Sequence, residues 1–317
     1  MPKRRKILII GSSGMLGIDL WQELRRDYDV MGADIVHGPR SAVYRFYKID
    51  ITNRNSVSNV ITKTQPDVVV HTAAYTDVDG CELSPKKAYE VNSVGTRNVA
   101  LACKKIGALL IYISTDFVFN GRKKNPYKEK DRPAPLSVYG DSKLKGEEVL
   151  KKSLKNYFIL RTSWLYGKCG KNFVDTIIVK GKEGNALKIV DDQVGSPTYT
   201  KDLAKGIHAL IDRVSKCQSV KVSRAQETRN KHTQYSIHNT QYGTYHVSNT
   251  GSVSWFEYAK EILKLAGIRT KVIPITSKEL NRPAKRPEMS VLDNSKFIAF
   301  TGYRMRNWRE ALKNYVR

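Results

Sequence analysis

With 317 residues, 40% hydrophobic and 27% charged, the chain can form one large or two ordinary cores, and its composition excludes a disordered segment. Lysine and arginine outnumber aspartate and glutamate 55 to 30, a formal charge of +25, which would draw anions or nucleic acid from a distance. The basic residues are spread along the chain without aromatic–basic repeats, zinc-finger spacing or a helix-turn-helix. Solvated faces are the reading, and no nucleic-acid partner is expected.

No apolar run approaches the length of a bilayer crossing. The basic stretch Met1–Lys6 leads only into Ile7–Ile10 before Gly11, too short for a signal-peptide core. The expectation is a cytoplasmic protein with no membrane association. Cys81, Cys103, Cys169 and Cys217 are widely spaced, and the six histidines lack His-x-x-x-His spacing. Neither a disulfide framework nor a metal site is expected.

In chain order, Lys6–Ile10 is a short apolar run suited to a buried parallel strand. A glycine turn follows, then an amphipathic helix through Arg26 with Leu16, Leu20 and Leu24 on one side. Strands are predicted over Asp29–Asp34 and Tyr44–Asp50, then a helix over Asn53–Lys63, ended before Pro66. Asp67–His71 is a fourth strand, leading into Thr72, Ala73, Ala74 and Tyr75. Pro85–Ile106 reads as one long helix and Ala108–Thr115 as a fifth strand. Asn120–Pro135 is a polar surface loop. A helix carrying Tyr139 and Lys143 precedes a sixth strand at Tyr157–Arg161. Strands alternating with helices at this spacing predict an α/β fold with a doubly wound, Rossmann-type parallel sheet covered on both faces.

Beyond Ser163 the texture changes. Short elements at Lys188–Val190, Tyr245–Ser248 and Val272–Ile275 alternate with helices at Lys201–Val214 and Ser254–Ala266. The division expected is a dinucleotide-binding domain over 1–165, with a return contribution from 185–215, and a smaller α/β substrate lobe over 166–317. Residues 215–241 contain no proline or glycine and almost no apolar periodicity. They read as a polar, mobile insertion.

Gly11, Gly14 and Gly17 stand between a buried strand and an amphipathic helix, with Met15 and Leu16 between the last two. In that context the first glycine serves a tight turn, the second admits a pyrophosphate, and the third packs helix on strand. The helix N-terminus then offers free N–H groups and a dipole to the anion. Asp34 ends the second strand, where a carboxylate can bond both ribose hydroxyls and favours NAD over NADP. Arg40 could still neutralise a 2′-phosphate, and Asp34 as a loop-entry residue is the alternative. Asp50 and Ile51 could reach the adenine edge, while the small Ala73 and Ala74 leave room for a cofactor. Tyr139 and Lys143 stand four residues apart, which places both on one helix face.

These spacings, together with Thr115, resemble the extended short-chain dehydrogenase/reductase superfamily. Further segments resemble the dTDP-4-dehydrorhamnose reductase family in particular. They are Ala73–Asp79, Val91–Asn92, Ser114–Gly121, Pro126–Glu129, Tyr139–Glu147, Arg161–Gly167, Asn172–Phe173, Asp192–Thr198, Tyr245–His246 and Arg286–Pro287, in order from about Lys6 to Leu312.

The resemblance implies reduction of the C4 ketone of dTDP-4-dehydro-6-deoxy-L-mannose to dTDP-L-rhamnose, with NADPH or NADH as cofactor and a dTDP-sugar as partner. It implies that Tyr139 donates the proton and that Lys143 favours the ionised phenol and bonds the nicotinamide ribose. Thr115 would bond the substrate carbonyl, and Asp116 and Trp164 would contact the sugar. Arg286 would bind the nucleotide diphosphate, unless it is an ordinary surface arginine, and Asn92 would support the site or a bound water. Relatives that eliminate water place a glutamate directly after the Thr–Asp pair, where this chain has Phe117. Other nucleotide-sugar reductases and epimerases of the superfamily stay open, as does a regulatory subunit resembling that of methionine adenosyltransferase. Some relatives are described with Mg²⁺ at a dimer contact. Asp19 stands at one candidate place without carboxylate partners at ligand spacing, so Mg²⁺ has no support, and a homodimer is left open.

Overall fold

The computed structural model describes residues 4–38, 45–227 and 241–317. Its main sheet has seven parallel strands: β1 (Lys6–Ile10), β2 (Asp29–Asp34), β3 (Phe46–Lys48), β4 (Val68–His71), β5 (Leu109–Thr115), β6 (Tyr157–Thr162) and a returning strand at Gly243–His246. The spatial order is returning strand, β6, β5, β4, β1, β2, β3. Chain direction therefore reverses its progress across the sheet beside β1, and such switch points open a crevice at the carboxyl ends of the strands.

The run Lys-Ile-Leu-Ile-Ile forms β1 because a central parallel strand has both faces buried. Ile7 and Ile9 join one core with Leu16, Leu20 and Leu24 of α1 (Met15–Leu24) and with Leu203, Ile207 and Ile211. Leu8 and Ile10 join the opposite core with Val57 and Ile61 of α2 (Arg54–Thr64), and with Val99 and Leu150. The period-2 alternation of a strand thus supplies two cores from one pentapeptide.

Three elements differ from the sequence reading. The stretch Pro85–Ile106 is divided into helix (Pro85–Tyr89), a π-helical segment (Glu90–Gly95) and helix again (Thr96–Ile106). Within that segment the Asn92 carbonyl accepts from Thr96 Oγ1 at 2.7 Å and from Tyr112 Oη at 3.4 Å. Its side chain bonds the Tyr75 backbone and Ser142. The expected short helix ending at Val214 runs from Thr200 to Glu227, into the stretch read as an insertion; residues 228–240 lie outside those described. Finally, the Tyr245 element, grouped by sequence with the smaller lobe, pairs with β6 in the main sheet.

The smaller lobe gathers its own apolar cluster from Tyr166, Val174, Ile177, Tyr258, Ile262, Trp308 and Leu312. Two-stranded pairings there include Val272–Ile275 with Leu187–Val190. Among the described residues no helix is long and apolar enough to cross a membrane.

One buried ion pair fixes the helix Val138–Ser153 to the sheet. Arg161, on β6, donates Nε to Glu147 Oε1 at 2.8 Å and Nη2 to Oε2 at 2.7 Å, and Ser114 Oγ on β5 donates to the same carboxylate at 2.7 Å. Burial pushes the Glu147 carboxyl up, but the Arg161 charge, Lys151 and the hydrogen bonds outweigh it and hold the group below its ordinary range. Removing one partner of a buried pair strands the other charge, at about 3–5 kcal/mol. Glu147→Ala is therefore expected to lower the unfolding free energy by about that amount in urea titrations. A loss under about 1 kcal/mol, the scale of an exposed pair, would show that the pair does not anchor the helix.

Candidate active site

The carboxyl ends of β1, β2, β4, β5 and β6 surround a cavity of about 680 Å³. All the residues singled out by sequence lie on its wall: Gly11, Gly14, Met15, Leu16, Gly17, Asp34, Asp50, Ile51, Ala73, Ala74, Thr115, Asp116, Tyr139, Lys143, Trp164 and Arg286. Arg40 lies outside the described residues.

At one end the glycine turn is as tight as the sequence context requires. Gly11 has φ of +90°, and a Cβ there would stand 2.4 Å from Thr72 Oγ1. At Gly17 a Cβ would stand 2.2 Å from the Gly11 carbonyl oxygen, so α1 could not lie on β1. Gly14 differs: its nearest neighbour would be 3.4 Å away, and its missing side chain leaves the mouth of α1 open toward the cavity. Gly14 is also the N-cap of α1 without a side-chain cap. The N–H groups of a first helical turn have no intrahelical partners, and here they meet an open, glycine-lined recess. That donor set fits a pyrophosphate.

Asp34 accepts from Ser13 N at 2.9 Å through one oxygen and from Ile35 N at 2.8 Å through the other, so its carboxylate is held at the cavity rim. Asp50 Oδ1 accepts from both the Thr52 N–H and hydroxyl. Ile51 packs against Gly95 of the π-helical segment, where a Cβ would meet it at 2.8 Å. Thr72, absent from the sequence reading, bonds the Ile10 and Gly11 carbonyls and joins β4 to the glycine turn.

At the other end stand the titratable groups. Thr115 closes β5; its Oγ1 accepts from Phe117 N at 3.2 Å, contacts Asp116 Oδ1 at 3.1 Å and hydrogen-bonds the Tyr139 phenol. Tyr139 reaches this point because the next residue is Gly140, where a Cβ would stand 2.2 Å from the Phe117 carbonyl oxygen. The helix begins on Ser137, whose Oγ accepts from Gly140 N at 3.2 Å. Phe117 itself lies edge-on to the Tyr139 ring, centroids 5.5 Å apart.

Burial pushes the Tyr139 phenol above its ordinary range; the Thr115 hydrogen bond pulls it down and the Asp116 charge adds to the rise. Burial also lowers Lys143 to about 7, with Glu147 acting in the opposite sense. The Lys143 ammonium donates to the Ile113 carbonyl at 2.7 Å and lies 4.1 Å from the Tyr112 ring centroid. Its contacts are therefore with the sheet beneath it, whereas the phenol is governed by Thr115, Asp116 and Cys81. A buried ammonium needs an acceptor, and the nearest one offered is a strand carbonyl.

Asp116 is 1% exposed. Burial raises its carboxyl to about 7, against hydrogen bonds from Ser290 and Thr115 and from the Asp116 and Phe117 backbone. Ser290 is near enough to favour the charged form, yet Oδ2 lacks a well-formed hydrogen bond.

Two groups from the smaller lobe complete the wall. Trp164 has φ of +47°, a left-handed conformation that is costly for a bulky residue. It is held by a parallel stack on Trp255 at 3.5 Å and by Gly195, where a Cβ would stand 2.4 Å from the indole. Sequence reasoning missed Trp255, since only this long-range stack brings it to the cavity. Arg286 donates to Asp79 Oδ2 at 2.9 Å and to the Ala284 carbonyl at 2.8 Å. Burial pushes Asp79 up, but Arg286, the Ala284 N–H and Arg282 outweigh it and hold the carboxyl low. Lys171, also unforeseen, lines the cavity from the Gly167–Lys171 loop.

Asp19 is buried and accepts from Thr200 Oγ1. Among the described residues no group of three or more His, Cys, Asp and Glu could hold a metal ion.

A family model described as the RmlD substrate binding domain matches residues 5–317. The chain is 36% identical over 98% of its length to the spore coat polysaccharide biosynthesis protein SpsK of Bacillus subtilis, covering 96% of that protein. It is 37% identical, over 98% of this chain and 92% of the relative, to the dTDP-4-dehydrorhamnose reductase of Streptomyces griseus. The crystal structure of a dTDP-4-dehydrorhamnose reductase from Bacillus anthracis, in complex with NADP, superposes with a TM-score of 0.81 at 39% identity, covering 98% of both chains.

The raised Asp116 carboxyl has a thermodynamic consequence. The unfolded chain releases this proton near pH 4, whereas the folded chain keeps it to about pH 7. Between those values the native state binds more protons, so Asp116 makes stability fall as pH rises. Asp116→Asn removes that contribution. From pH 5 to pH 8 the wild type is expected to lose on the order of 2 kcal/mol more unfolding free energy than the variant. Parallel losses in urea titrations at the two pH values would show that Asp116 is already ionised at pH 5.

Proposed function

The chain belongs to the dTDP-4-dehydrorhamnose reductase family, and from that membership we infer that it reduces the C4 ketone of dTDP-4-dehydrorhamnose to dTDP-L-rhamnose with NAD(P)H. It is a nucleotide-sugar reductase. The observation that carries the residue roles is the Thr115–Tyr139 hydrogen bond, set in the same cavity as the glycine turn.

Gly11, Gly14, Gly17 and the first turn of α1 would hold the cofactor diphosphate, with Met15 and Leu16 beside them. Asp34, Asp50 and Ile51 would meet the adenosine half, and Ala73 and Ala74 leave space along β4. When bound, NAD(P)H supplies the hydride. Tyr139 gives its proton to the ketone oxygen. Its raised phenol keeps that proton at neutral pH until a developing alkoxide, a far stronger base, takes it. Thr115 positions the phenol and offers its hydroxyl to the same ketone. Lys143 places a donor of perturbed charge on the cofactor side of the cavity, secured meanwhile by the Ile113 carbonyl.

Arg286 would hold the nucleotide diphosphate. Its bonds to Asp79 and Ala284 use two of its five donors, leaving the rest of a rigid fork that suits phosphate oxygens. Trp164, backed by Trp255, gives the sugar a flat apolar wall.

Two measurements test these roles. Tyr139→Phe should cut turnover about 10²–10⁴-fold, followed as loss of NAD(P)H absorbance with the dTDP-keto sugar, while cofactor affinity changes little. Wild-type turnover in that variant would remove Tyr139 as the proton donor. Asp34→Asn takes a negative charge from the ribose end of the site. The ratio of kcat/KM with NADPH to that with NADH should rise about tenfold, the scale of one screened charge pair. An unchanged ratio would mean that Asp34 does not face the 2′ position.

A further inference from the structure

Asp116 is the one acid on the substrate side of the cavity, and its surroundings differ from those of the other buried carboxylates. Glu147 is clasped by Arg161, and Asp202 pairs with Arg306. Asp116 has no cation among its partners, only Ser290, Thr115 and backbone N–H groups, and Oδ2 has no well-formed hydrogen bond. A carboxylate in that position is costly as an ion and inexpensive as an acid.

Its other oxygen is joined to the phenol. Asp116 Oδ1 lies 3.1 Å from Thr115 Oγ1, and that hydroxyl is hydrogen-bonded to Tyr139. A threonine hydroxyl has one proton and two lone pairs. It can accept from the Phe117 N–H, which it already does at 3.2 Å, accept from a protonated Asp116, and donate to Tyr139.

We propose that Asp116 stores the proton that restores Tyr139 after each reduction and delivers it through the Thr115 hydroxyl. The proposal rests on the reading of Tyr139 as proton donor. Before transfer, the single Thr115 O–H is available to the ketone. Once the Tyr139 O–H bond has broken and the new alcohol O–H has formed, the phenolate becomes the strongest acceptor near Thr115. The Thr115 proton moves to the phenolate oxygen as the Asp116 proton moves to Thr115 Oγ1. Tyr139 and Thr115 end as they began, and Asp116 is left a carboxylate. The net proton of the reduction comes from Asp116, and the hydride comes from NAD(P)H as in any turnover. Asp116, on the cavity wall, regains its proton from water after product leaves. Lys143 is not arranged for this task, since its ammonium is bound to the Ile113 carbonyl and the Tyr112 ring.

Asp116 thus acts through Thr115, and the test must separate that from sugar binding and from simple support of the fold. Steady-state rates are measured from pH 5.5 to pH 9 for the wild type, Asp116→Asn, Ser290→Ala and Tyr139→Phe. The wild-type kcat should fall above about pH 7 with loss of one proton. Asp116→Asn should lower kcat about 10²-fold, leave KM within about threefold, and abolish that fall. Ser290→Ala removes a hydrogen bond that favours the charged carboxyl, so it should move the fall to higher pH. Lys143 also titrates near pH 7, but the loss of Ser290 leaves it alone, so a moved fall belongs to Asp116. Mixed H₂O–D₂O rates give a readout other than magnitude: curved for the wild type, with several protons in flight, and linear for Asp116→Asn. The relay is overturned if Asp116→Asn keeps the wild-type pH profile, if its defect is confined to KM, or if Ser290→Ala leaves the fall in place. The last outcome decides even if Asp116→Asn fails to fold. Full turnover in Tyr139→Phe would overturn the donor reading itself, whereas a dead Tyr139→Phe beside an unaffected Asp116→Asn overturns the relay alone.

Discussion

The bidentate contact of Arg161 with Glu147 is the constraint through which helix and sheet are set against one another. It lies where three elements meet: β6 supplies the guanidinium, the Tyr139 helix the carboxylate, and β5 the Ser114 hydroxyl. Ser114 is adjacent to Thr115, and Glu147 is one helical turn beyond Lys143. A shift of the helix would therefore separate Thr115 from Tyr139 at one end and the Lys143 ammonium from Ile113 at the other. Buried ion pairs are poor sources of net stability but strong penalties against wrong arrangements. Here the arrangement protected is the one that joins phenol to hydroxyl.

That contact also lets the site use burial as its main tool. Desolvation raises Tyr139 and Asp116 and lowers Lys143, so acids and base alike are moved toward their neutral forms. Glu147 escapes this because Arg161 answers its charge. The contrast separates two uses of a buried carboxyl within one turn of sequence and space: one is kept ionised to hold structure, the other is kept near neutrality beside the phenol. Environment rather than residue type decides between them.

Much of this was legible in the sequence because it is local. A pentapeptide of β-branched and apolar residues, a glycine turn and a leucine-striped helix specify the first β-α unit without help from elsewhere. The same holds for Tyr139-Gly140, where the need for a bare Cα follows from the close approach to Phe117. What could not be read depends on distant partners. The π-helical segment at Glu90–Gly95 is supported by Tyr75, Tyr112 and Ser142, and nothing within the segment announces them. The returning strand is four residues of unremarkable polarity, and only pairing with β6 makes it part of the sheet. Trp255 became a wall residue by stacking on Trp164, and Arg286 was aimed by an aspartate 207 residues earlier.

The short 3₁₀ turn Asp116–Val118 then explains why the site reduces and does not eliminate. Three successive residues take three destinations: Asp116 beside Thr115, Phe117 edge-on to Tyr139, and Val118 into a small apolar cluster with Phe119, Tyr127 and Leu292. Stripping a proton from carbon requires a carboxylate free to face it. Among the described residues on the cavity wall, the carboxylates are Asp34, Asp50 and Asp116. The first two lie at the ends of β2 and β3, on the cofactor side. The third is tied to Thr115 Oγ1 and is largely withdrawn from solvent. With an aromatic ring in place of a base, every proton-bearing group at the substrate end converges on one oxygen. Such a site can protonate an alkoxide as it forms, and it has no group with which to begin an elimination.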